Sequence, residues 1–266
     1  MTIDITKAVK SANLKKKDVI GACAGHFIID SPDSVIEYDN NQEETKVSYV
    51  SRHPEGAACR SNIVHKRGLK IGNEHFTYDD GHDFLDYFFI TNPRSLGAHG
   101  VKITHNDQNY FFTSGPLSGC ACAFLYKNGK MYFVHSGGKC DNTEKFLRQK
   151  MKLGDMLHCI LTLMDEDIAE VPKQITIDEL LSYLRDLGLR GTVVFWGEFF
   201  QIRGVQEDVI TLQYTNKYKN NVGQWSLIVA VNKSGKYSVG VRTHYSLIDD
   251  SSSKVFESWC ISVIDY

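Results

Sequence analysis

Among the polar and apolar stretches of the chain, two short apolar runs stand out either side of Asn128-Gly129. Tyr110 to Gly138 reads as a strand, a Gly/Pro corner and then a hairpin, with the Asn-Gly pair at its tip. A two-residue type I′ turn needs positive φ at both central positions, which is why Asn-Gly between apolar runs signals a hairpin. The turn dictates the register: Lys127 faces Lys130, Tyr126 faces Met131, Phe124 faces Phe133 and Cys122 faces His135. Side chains two apart share a face. Cys120 therefore shares a face with His135 as its diagonal neighbour, at a backbone separation of roughly 7–8 Å.

The rest of the chain mixes the two periodicities. Residues 1–20 read as a short helix and a linker, Val19 to Ile29 as a buried strand, and Lys46 to Val50 as an edge strand. Phe84 to Ile90 is the most aromatic run and predicts a core strand, followed by a loop holding His99. Asn142 to Lys152 predicts a short amphipathic helix with a break at Gly154, and the apolar stretch Asp155 to Met164 fits helix or strand. The clearest helix spans Ile177 to Leu187. Thr176 and Glu179 have capping-box spacing, Ile175 and Leu180 suit a hydrophobic staple, and Gly188 suits the left-handed stop. From Thr192 onward, short apolar runs separated by polar turns predict an antiparallel meander whose final strand lies inside the sheet. The expected architecture is α+β: a β-sandwich of mixed, largely antiparallel sheets flanked by a few helices and long loops. No linker or repeat divides the chain, so residues 1–266 form one expected domain.

Chemistry concentrates at the mouth of the hairpin. A nucleophilic thiol must ionise, and a neighbouring histidine can accept its proton and pass it to a leaving group. Cys120 follows Gly115-Pro116-Leu117-Ser118-Gly119. That corner lets a substrate approach closely, and backbone N–H groups around Ser118, Gly119 and Ala121 are candidates for binding an oxyanion. Cys122 is the rival thiol, but it stands inside the apolar run ACAFLY, where burial blunts it. A half-buried cysteine beside a core histidine is the inert alternative.

The segment Leu117-Ser118-Gly119-Cys120, with His135 fifteen residues on in Phe-Val-His-Ser-Gly, resembles the catalytic segment of the cytotoxic necrotizing factor toxins. It is also similar to Burkholderia lethal factor and, more distantly, to the chemotaxis receptor deamidases. The resemblance implies a β-sandwich and a cysteine-dependent conversion of one glutamine of a target protein to glutamate. It implies Cys120 as nucleophile, His135 as base and acid, and a group that orients the histidine. That group would be a backbone carbonyl or a side chain just upstream, with Ser114 as the positional match and Thr113 the alternative. No cofactor is implied. The implied partner is a host protein, such as a Rho-type GTPase or a translation-initiation helicase, reached in the host cytoplasm.

Composition narrows this picture little. The 266 residues are 42% hydrophobic and 23% charged, with a formal net charge of −2. That balance suits a globular protein and provides no general attraction to nucleic acid or an anionic membrane. The N-terminus lacks the apolar core of a secretory signal, so export would use a specialised route. Seven cysteines at irregular spacing fit free thiols better than a disulfide framework. His53, His65, His75 and His82 lack the tight pairing of a zinc site, so no metal is expected. A monomer is expected. Transglutaminase or cysteine peptidase chemistry could use the same residues, and a non-catalytic β-sandwich binding module is the reading from another class.

Overall fold

A computed structural model describes residues 2–10, 45–50, 63–70, 84–90, 93, 96–106, 110–138, 143–200, 202, 208–218, 221–231, 237–246 and 254–264. The expected strand at Val19 to Ile29, and His26, His53, His75 and His82, lie outside them.

The described elements are β1 (Thr2–Asp4), α1 (Ile5–Lys10), β2 (Thr45–Val50), β3 (Ile63–Lys70), β4 (Phe84–Ile90), β5 (Gly97–Thr104), β6 (Tyr110–Ser114), β7 (Ala121–Lys127) and β8 (Lys130–Gly137). There follow α2 (Lys145–Met164), α3 (Ile177–Asp186), β9 (Arg190–Trp196), β10 (Val209–Tyr214), β11 (Lys217–Tyr218), β12 (Asn221–Val231), β13 (Tyr237–Ser246) and β14 (Lys254–Ile264). Two sheets form. One has the order β1-β10-β9-β7-β8-β5-β2; the other has the order β14-β13-β12-β6-β4-β3, with β11 pairing β12. Most pairings are antiparallel; β1–β10, β10–β9 and β4–β6 are parallel. The architecture is the expected α+β sandwich.

β7 shows why the sequence folds this way. Cys122 and Phe124 point into an apolar core shared with Phe112, Trp225 and Leu227 of the second sheet. Ala121, Ala123 and Leu125 point the other way, into a core shared with Met156 and Ile160 of α2 and Leu180 and Leu184 of α3. A strand covered on both faces has no polar side, hence the unbroken apolar run. Layers therefore stack as helices, first sheet, second sheet.

The hairpin register agrees with the turn chemistry: Cys122 faces His135 and Lys127 faces Lys130, with φ of 50° at Asn128 and 72° at Gly129. The capping box of α3 also forms, Thr176 accepting from the Glu179 amide while Glu179 reaches back. β2 is an edge strand, as its alternation predicts.

Four expectations are corrected. The break at Gly154 does not occur: α2 runs through it for 20 residues, because Leu153, Met156, Leu157 and Ile160 bury one continuous stripe. That burial outweighs the ~1 kcal/mol that a helical glycine costs. Among the described strands, the meander from Thr192 is antiparallel only across β11, β12, β13 and β14. β9 and β10 run parallel in the first sheet, where β9 is buried from Gly191 to Phe195. Among the described strands the final one, β14, is an edge. His99 stands on a strand rather than in a loop, directly opposite His135.

Candidate functional site

The hairpin brings Cys120 and His135 to one end of the sandwich. Cys120 directly precedes β7, and the positive φ of Gly119, 117°, turns the chain into the strand. A side chain at Gly119 would also press on the Trp196 ring, at 3.1 Å. His135 is fully buried on β8. Cys120 retains 7% exposure and lines a cavity of about 600 Å³ together with Pro93, Ser118, Gly119, Trp196 and the α2 residues Arg148, Gln149 and Lys152. The Cys120 thiol thus sits low in the wall of this cavity.

The imidazole is oriented by backbone. His135 Nδ1 lies 3.3 Å from the Ile90 carbonyl oxygen. A carbonyl can only accept, so this contact places the proton on Nδ1 and leaves Nε2 with a lone pair. Nε2 is buried and has no hydrogen bond of ordinary geometry. The Cys120 thiol interacts with this ring.

Ser114 and Thr113, expected near the ring as orienting groups, do not serve it directly. Ser114 Oγ donates to the Gly115 carbonyl at 3.0 Å and accepts from the Leu227 amide at 3.0 Å; Thr113 bonds to the Ser114 carbonyl. The reason lies in the sheet. Ser114 pairs with Ile90 across β4 and β6, and the Gly115 amide donates to the same Ile90 carbonyl at 2.8 Å. Ser114 thus braces the backbone that presents the orienting oxygen.

The oxyanion expectation changes at Gly119. The Gly119 amide already donates to the Tyr214 hydroxyl at 2.8 Å, and that hydroxyl donates to the Cys120 carbonyl at 2.8 Å. Gly119 N–H is therefore engaged within the protein. Ser118 is exposed at the rim, and the Ala121 methyl packs into the helix-side core. Two other donors in the cavity wall have no acceptor: Arg148 Nε and Trp196 Nε1 are both buried and unpartnered among the described residues.

Electrostatics separates the two thiols. Burial raises the Cys120 thiol, but hydrogen bonding with His135, the charges of Lys152 and His135, and the Gly138 amide outweigh it, so the thiol is lowered from 9.0 to about 6. Burial pushes Cys122 well above its ordinary value; a hydrogen bond with Ser114 opposes this only in part. Alkylation of Cys120 should therefore be half-maximal near pH 6, falling as acid protonates the sulfur. At pH 7 Cys120 should react at least ~100-fold faster than Cys122. Peptide-resolved mass spectrometry of iodoacetamide labelling checks this, and equal rates would remove the distinction.

Arg148, Gln149, Lys152, Trp196 and Tyr214 were not marked by the sequence. Their signal was faint: Gln149 and Lys152 continue the buried stripe of Met156 and Ile160 toward the helix start, where polar residues replace apolar ones. Among the described residues no group of three His, Cys, Asp or Glu side chains could hold a metal ion, and no helix is long and apolar enough to cross a membrane.

No protein-family model matches the chain, and no curated protein matches it in sequence. Among solved structures it is similar to the C-terminal domain of CNFy from Yersinia pseudotuberculosis, with a TM-score of 0.52 and 18% identity over 76% of this chain and 71% of that one. A cytotoxic necrotizing factor domain is thus a structural neighbour, and the chain shares its α+β sandwich fold.

Proposed function

We propose that the protein is a cysteine-dependent glutamine deamidase acting on a target protein, a toxin-like effector that works inside host cells. The observation that carries the reading is the Cys120 thiol, lowered to about 6 beside a backbone-oriented His135, at a cavity that opens outward. The thiolate attacks the side-chain carboxamide carbon, and the amide oxygen takes up the negative charge. Arg148 Nε and Trp196 Nε1 supply donors for that oxygen. His135 Nε2 carries the proton taken from the thiol and delivers it to the nitrogen, so ammonia leaves and a thioester remains. Water, deprotonated by the same nitrogen, then hydrolyses the thioester to glutamate and frees the sulfur. An amine in place of water would give transglutamination by the same acyl-enzyme.

The described cavity wall carries Lys145, Arg148 and Lys152 and no carboxylate. A target glutamine followed or preceded by acidic residues therefore suits it. The test is mass spectrometry of host-cell lysate treated with active protein or with Cys120→Ser protein. One glutamine should gain the mass of glutamate only with active protein, and it should lie in an acidic segment. Peptide cleavage in place of this change would make the protein a peptidase; no change of either kind would favour a binding module.

A further inference from the structure

Lys152 is an unusual lysine. It is 5% exposed, it lines the cavity beside Cys120, and its ammonium donates to the Gly119 carbonyl at 2.5 Å. The same carbonyl accepts from Gln149 Nε2 at 3.0 Å, so α2 holds the residue preceding the thiol through two donors. No ion pair with a carboxylate involves Lys152 among the described residues. Asp155, one turn further along α2, makes none with it. The charged groups that act on the ammonium are the Cys120 sulfur, which favours its charge, and the Arg148 guanidinium, which opposes it. On the sulfur's side, the facing groups are Lys152, His135 and the Gly138 amide, with the Tyr214 phenol nearby held protonated by burial.

A buried ammonium with no anion beside it is expensive, and so is a buried thiolate with no cation. Each supplies what the other lacks. We propose that Lys152 is the counter-ion of the Cys120 thiolate, a positioning residue that keeps the nucleophile ionised while it anchors Gly119 ahead of it. This rests on the reading of Cys120 as nucleophile and adds a residue that the Cys-His pair does not include. It also divides the labour within the site: Lys152 holds the negative charge on sulfur, and His135 Nε2 remains available to shuttle the proton.

A purely structural lysine would hold the Gly119 carbonyl and leave the sulfur's titration alone. Three substitutions separate the roles. Lys152→Gln keeps a donor without the charge, Lys152→Arg keeps the charge, and Lys152→Met removes both. The readout is the pH profile of Cys120 alkylation, with thermal melting to verify the fold. Lys152→Gln and Lys152→Met should move the midpoint upward by at least about one pH unit and slow labelling at pH 6.5 by about three- to tenfold; Lys152→Arg should stay near wild type. An unchanged midpoint in a folded Lys152→Gln protein overturns the proposal.

Should the variants fail to fold, the wild-type chain still decides. Iodoacetate leaves a carboxylate on Cys120, iodoacetamide a neutral amide of similar size. The carboxymethyl protein should melt at the higher temperature, because it returns an anion to Lys152; equal melting temperatures overturn the proposal. Both readouts follow the sulfur and not turnover. Absence of deamidation would leave them intact, and an unchanged titration would leave glutamine hydrolysis standing.

Discussion

Cys120→Ser is expected to lower glutamine hydrolysis by about a thousandfold or more, with the fold retained. The substitution changes one atom in a side chain that is nearly buried, so packing is kept while ionisation near neutral pH is lost. Serine would have to lose its proton to His135 with no help from its own acidity. Cys122→Ser is the matching control. Cys122 is fully buried, and burial lifts it well above its ordinary value, so its replacement should leave turnover within a few-fold of wild type. Equal loss in both variants, with intact melting curves, would mean that the nucleophile is Cys122. The pair also carries a pH signature in stability. Cys120 is held below its unfolded value, so its ionisation stabilises the native state fully above about pH 9 and is lost as pH falls through about 6. The melting temperature of wild type relative to Cys120→Ser should therefore rise between pH 6 and 9 and be flat below.

That Cys120 and His135 could be placed side by side before any coordinates follows from how local their geometry is. One turn, Asn128-Gly129, sets the hairpin register, and the register alone puts Cys120 and His135 on one face. The capping box of α3 is equally local, three residues wide. What escaped the sequence is non-local. Ile90, whose carbonyl orients His135, is 45 residues away in sequence, and a backbone oxygen leaves no trace in residue identity. Lys152 and Gln149 reach Gly119 across about 30 residues, and Tyr214 across 95. The parallel pairing of β9 with β10 shows the same limit: an apolar strand pattern reports coverage on both faces but not the direction of the neighbour. Gly154 misled for the opposite reason. A local propensity of ~1 kcal/mol yields to a stripe of buried leucine, methionine and isoleucine.

Gly137→Ala is expected to disable the site without replacing any group that reacts. A methyl at Gly137 would lie 2.5 Å from Cys120 Sγ, 3.3 Å from Cys120 Cβ and 3.4 Å from Pro93 Cδ. Gly137 is an ordinary β8 residue whose φ is not in the left-handed region, so alanine fits the backbone and the severe conflict is with the Cys120 sulfur, with a lesser one at Cys120 Cβ. The sulfur ends a side chain with one torsion, and rotating about it to relieve the contact is expected to displace Sγ from its place beside His135. Deamidation and Cys120 alkylation at pH 7 should both fall by about a hundredfold, because misplacing a reacting atom by about 1 Å is enough to do so. Stability should fall by only about 1–2 kcal/mol, the ordinary range for one added methyl in a packed interior. The cause can be isolated with a double-mutant cycle. In a Cys120→Ala background the sulfur is gone, and Gly137→Ala should destabilise by at least about 0.5 kcal/mol less than in wild type. An additive cycle, or a Gly137→Ala protein that alkylates at the wild-type rate, would mean that the thiol does not sit against β8 where the hairpin register puts it.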